Sequence, residues 1–148
     1  MIGNIGTGDL ATWEEGGTRW ILAPVAGAVN PATKFVGANG AITNGAVAAF
    51  KVVDQGGKPS LQPAWTSRDL TTPQTPTIIN GVIFAVSGGD AQHAAVLYAL
   101  DGATGKDLWN SGSTMTSFTR TGISGGSGQL YVGTHDSTVY AFGFPLVK

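Results

Sequence analysis

The chain has 148 residues, a formal net charge of −1, 11% charged residues and no cysteine. That balance excludes a basic nucleic-acid-binding face and a polybasic membrane contact. The missing thiols exclude disulfides, thiolate metal sites and cysteine nucleophiles.

The chain also carries 23 glycines. They show no triplet period, so they read as turn punctuation between short runs rich in Val, Ile, Thr and aromatic residues, which favour strands. The opening "MIGNIGTGDLATW" has neither a basic start nor a long apolar core and is not a secretory signal. An export signal, if the parent has one, is expected outside this chain. No run is long enough for a membrane-spanning helix.

"DLATWEEGG" (residues 9–17) reads as an inner strand closing on a charged hairpin turn. Glu14 and Glu15 are sequence neighbours, so on a strand they point to opposite sides and make a poor acid–base pair. "TRWILAPV" (18–25) and "GAVAAFKVVD" (45–54) are the next strands. The insertion between them, residues 26–44, contains "KFV", which is expected to add a short strand. "QPAWTS" around Trp65 closes the first unit.

A second unit follows as "TPTIIN", "VIFAVSG", "AVLYALD" and "KDLWNS". A third runs from about Ser117 through "GQLYVGTHD" and "STVYAFG". Phe50, Leu100 and Phe142 fall in register, as do Trp65 and Trp109. A several-stranded unit recurring at roughly 40–50 residues is the pattern of a propeller blade.

The expected fold is therefore all-β: a partial β-propeller of about three four-stranded antiparallel blades, at about 9–69, 70–112 and 113–146. The last lacks its outer strand and its Trp. A ring needs about four to eight blades to close. Left open, each end blade is expected to expose an apolar face. The chain is thus expected to be a C-terminal piece of a longer protein or, alternatively, a unit whose copies assemble.

"ALDGATGKDLW" resembles the Ala-x-Asp-x-x-Thr-Gly-x-x-x-Trp repeat of the quinoprotein-type, pyrroloquinoline-quinone-like β-propellers, with Ala99, Asp101, Thr104, Gly105 and Trp109 at its named positions. The first unit keeps Ala49, an acidic residue and Trp65 at altered spacing. The last keeps "LYVGTHDSTVYAFG". The resemblance implies a structural motif in which the Trp docks on the backbone of a neighbouring blade. Residue chemistry agrees: a buried indole needs one acceptor, Asp suits a turn, and Gly permits positive φ. On this reading Trp109→Ala costs roughly 3 kcal/mol or more.

Candidate chemistry is sparse. "GATGKD" fails phosphate-loop spacing, because two residues rather than four separate Gly102 from Gly105 and Asp107 follows Lys106. "GISGG" fits Gly-x-Ser-x-Gly around Ser124, but a turn and a strand follow it instead of a helix, so it reads as a loop. His93 and His135 read as solvated loop residues away from metal-ligand spacing. Arg68, Arg120 and His135 are the weak ligand candidates. The two arginines lie near the entries to inner strands, where propellers bind ligands around the channel.

Quinoprotein dehydrogenases hold their quinone with a stacking Trp, a Ca²⁺ bound by carboxylate and amide oxygens, a catalytic Asp and usually a vicinal Cys pair. No residue here matches those positions. The resemblance therefore implies no cofactor in this chain, with pyrroloquinoline quinone and Ca²⁺ confined to a complete parent propeller. The expected role is a non-catalytic repeat scaffold for protein or ligand binding in a larger exported bacterial protein, periplasmic or extracellular. The alternatives are a C-terminal segment of a quinone-dependent dehydrogenase and a cell-envelope, outer-membrane assembly factor. Expected partners are neighbouring blades of the parent, a second copy, or another protein, with no nucleic acid and no membrane span.

Overall fold

The computed structural model describes residues 4–5 and 9–143. Throughout them the chain is all-β, with three separate sheets and no helix. The first sheet holds β1 (Asn4–Ile5), β2 (Ala11–Glu15), β3 (Thr18–Ala26), β4 (Gly37–Ala38), β5 (Gly45–Asp54) and β6 (Pro59–Thr66). Its body is the antiparallel meander β2-β3-β5-β6; β1 extends the β2 edge along the far end of β3, and β4 lies parallel to β6. The second sheet is the meander β7 (Thr77–Ile79), β8 (Val82–Ser87), β9 (Val96–Asp101), β10 (Asp107–Asn110). The third has three strands, β11 (Ser124–Gly126), β12 (Gln129–Gly133) and β13 (Val139–Gly143).

The three inner hairpins are built alike. Each closes on two residues with positive φ: Gly16 and Gly17 at 56° and 75°, Asn80 and Gly81 at 51° and 76°, Ser127 and Gly128 at 53° and 76°. Positive φ at both positions defines the mirror-image turn whose twist matches that of the flanking strands. The shared turn sets an equivalence between cross-strand pairs. Glu14–Arg19 in the first sheet corresponds to Ile78–Ile83 in the second and Gly125–Leu130 in the third.

The sheets stack in chain order. Leu22, Val47 and Trp65 of the first meet Ile83, Ala85 and Leu100 of the second in one buried cluster. Val86 and Leu97 use the opposite face of the second sheet to meet Leu130 and Val132 of the third, with Met115 from the connection filling the same core. The second sheet is thus buried on both faces, which is why "VIFAV" is continuously apolar rather than alternating.

Two expectations need correction. "KFV" does not form a strand: Val36 is 88% exposed, and the added strand falls on Gly37–Ala38. A Cβ on Gly37 would stand only 3.2 Å from the Cβ of Trp65, so the tight approach to β6 favours the glycine. Nor does the first sheet expose its whole outer face. Val29 and Phe35 of the insertion cover Ala23, Val25, Ala48 and Phe50.

Candidate functional site

The one complete signature folds into a tight turn after β9. The Asp101 carboxylate accepts the Thr104 backbone N–H at 2.8 Å and the Thr104 hydroxyl at 2.7 Å. The Gly105 N–H donates to the Asp101 carbonyl at 2.8 Å, and Gly105 has φ 70°. These bonds leave the Gly102 carbonyl facing the first sheet, where it accepts the indole N–H of Trp65 at 3.0 Å. Trp65 is 1% exposed. A Cβ on Gly105 would run into its six-membered ring. Asn39 ties the insertion to the same junction, donating to the carbonyls of Thr66 at 2.8 Å and Thr104 at 2.9 Å.

The docked tryptophan is therefore the one from the preceding unit. Trp109, which belongs to the signature itself, is 47% exposed and meets the ring of Phe142 edge-on, with centroids 6.0 Å apart. That corrects the expected large cost of Trp109→Ala, because a half-exposed indole has half its area left to lose. By register the counterpart of the docked turn follows β13, and the residues from 144 on lie outside the described residues.

The charged candidates are engaged between sheets. Arg68 Nη1 donates to Asp107 Oδ2 at 2.9 Å, and the guanidinium lies 5.1 Å over the Tyr98 ring. The Asp107 bond first, then Tyr98, holds its pKa above the ordinary arginine value. Arg120 Nη1 donates to the carbonyls of Gly89 at 3.0 Å and Thr119 at 2.9 Å, with its guanidinium 4.9 Å over Phe118. His135 stacks on the same Phe118 ring at 4.5 Å. Two of the three weak ligand candidates thus share one aromatic platform, and Arg68 is elsewhere.

One further reading changes, that of Ser124. His93 lies in the loop between β8 and β9 with its side chain 74% exposed, and its Nδ1 is 2.8 Å from Asp90 Oδ1. The Gln92 N–H, then the His93 ring, lowers the Asp90 pKa. Ser124 is not in a loop; it opens β11, opposite Tyr131, and the chain runs from it into a hairpin. A nucleophile elbow needs a helix there.

Asp69 is the polar centre that the sequence did not reveal. Its carboxylate accepts from the Thr43 N–H and hydroxyl, the Asn44 N–H and side-chain amide, and the Gly45 N–H, at 2.7 to 3.3 Å. Desolvation raises its pKa, but the Asn44 and Thr43 donors outweigh it and lower the value to about 2. The motif "TSRDL" draws attention to Arg68, and nothing local marks Asp69, because its donors are more than twenty residues away.

An apolar cleft of 980 Å³ opens between the second and third sheets beside Phe84, Trp109 and Phe142. No titratable side chain among the described residues lines it. Among the described residues no three His, Asp or Glu side chains converge where they could hold a metal ion. No family model, no curated protein and no solved structure matches the chain.

Proposed function

We propose that this chain is a non-catalytic scaffold segment: consecutive blades of a partial β-propeller of the pyrroloquinoline-quinone-like class, serving protein or ligand binding within a larger exported protein. The observation that carries the reading is the Trp65 clasp. A tryptophan on the outer strand of one sheet docks on the Asp-x-x-Thr-Gly turn of the next, which is the structural job expected of the repeat. The identical hairpin turns and the face-to-face stacking in chain order support it further. The charged candidates are used as inter-sheet ties, which favours a scaffold over a reactive centre.

The deciding comparison uses Asp101→Asn and Arg120→Ala. For a scaffold, Asp101→Asn lowers the melting temperature. Neither the natural chain nor either variant shows quinone-dependent dye reduction when pyrroloquinoline quinone, Ca²⁺ and an alcohol or sugar are added. Saturable quinone binding with turnover that Asp101→Asn abolishes, at unchanged stability, would overturn the reading in favour of a dehydrogenase segment.

A further inference from the structure

The second and third sheets each turn one face towards the sheet before them. Ile78 and Ile83 do so in the second, and Leu130 in the third. In the first sheet the equivalent of Ile78–Ile83 is Glu14–Arg19, an exposed ion pair with Arg19 Nε 3.5 Å from Glu14 Oε2 and side chains 60% and 76% exposed. A packed neighbour would have to strip water from both charges. That is costly without the added hydrogen bonds a buried ion pair needs.

The other half of that face is already filled. Residues 27–44 cross it, with Phe35 edge-on to Phe50 at 5.4 Å and Val29 alongside. Beneath them Ala23, Val25 and Ala48 are no more than 2% exposed. This strap is pinned at both ends. The Gly27 N–H donates to the Asn44 carbonyl at 2.9 Å, and Thr43 and Asn44 are held by the Asp69 carboxylate. In the middle, β4 pairs with β6.

We propose that residues 27–44, together with the Glu14–Arg19 pair, form an end cap. The strap takes the place of a neighbouring sheet on the first sheet, so no further sheet packs there and the stack grows only from the third. This does not depend on the family reading. If the sheets are propeller blades, their ring does not close through the capped one. A polar or covered outer face is what terminal repeats of stacked arrays require.

The chain has no cysteine, so single-cysteine spin labels report on chosen faces. Thr12→Cys places a label on the capped face, opposite Ile21. It is expected to stay mobile at every protein concentration. The triple variant Glu14→Ile/Arg19→Ile/Phe35→Ser uncaps the face and, by sedimentation velocity, is expected to self-associate about tenfold or more tightly than the natural chain. Immobilisation of the label at position 12 by a second copy of the otherwise natural chain would overturn the proposal. So would a folded triple variant that associates no more than the natural chain. The label in the natural background decides the matter even where the triple variant does not fold.

Discussion

At the scale of single residues, burial and hydrogen bonding separate two tryptophans that look alike in the sequence. Trp65 is buried and its N–H is used. Trp65→Ala is expected to cost about 3–5 kcal/mol in urea unfolding, the range of large aromatic truncations in cores. Trp109→Ala, with about half the area to lose, is expected to cost about 1 kcal/mol. Gly105→Ala meets two obstacles, a positive φ and the Trp65 ring, and is expected to cost about 2–4 kcal/mol. The need for glycine at the turn is legible in "DGATGK". The second reason, the ring above it, is not, because that ring is supplied by a residue forty positions earlier.

Asp69 gives the residue-scale pH prediction. Its folded pKa of about 2 lies below the ordinary aspartate value of 3.8. A depressed carboxylate contributes stability that is present above about pH 4 and is lost as pH falls through about 2. Urea midpoints at neutral pH and at stepwise lower pH are expected to fall across that window. Asp69→Asn is expected to lower the neutral-pH midpoint and to flatten the acid decline. Asp136 is lowered in the same direction, by the Thr134 and then the Thr116 hydroxyl. It therefore adds to the acid decline and does not oppose it.

At the scale of elements, the inner hairpins carry the regularity. Their turns demand positive φ at both central residues, which Gly-Gly and Asn-Gly meet easily and Ser-Gly meets less well. Ser127→Asn is expected to stabilise the third sheet by about 0.5–1 kcal/mol, read as a rise in melting temperature. A fall would mean that Ser127 does more than turn the chain. The long strands β3, β5, β8 and β9 were readable from their apolar runs and bounding turn residues. β4 and β11 were not. "GA" and "SGG" carry no strand preference of their own, and they are strands only because β6 and β12 present paired backbone to them.

At the scale of the whole molecule, stability is expected to be uneven along the stack. The second sheet is buried on both faces, and the first is packed on one and half covered on the other. The third has a neighbour on one side, and its β13 strand leaves Val139 70% exposed. Nearest-neighbour coupling makes end repeats the first to open unless they are capped. Hydrogen exchange is expected to protect amides of β5, β8 and β9 most strongly and those of β11 to β13 least. The strong protection of β5 should be lost in Phe35→Ser. Uniform protection across the three sheets would contradict a stack capped at one end only.

The sequence by itself determined what is local in the chain. It set the all-β character, the positions of the long strands and the repeat, and the Asp101–Gly105 turn, because these follow from alternation, turn chemistry and bonds reaching only a few residues. Only the tertiary structure decided which tryptophan is clasped and what Arg68, Arg120 and His135 touch. It also decided that Asp69 anchors a strap and that the strap covers a face. Each of these rests on contacts between residues about fifteen to forty positions apart, for which the intervening sequence carries no signal.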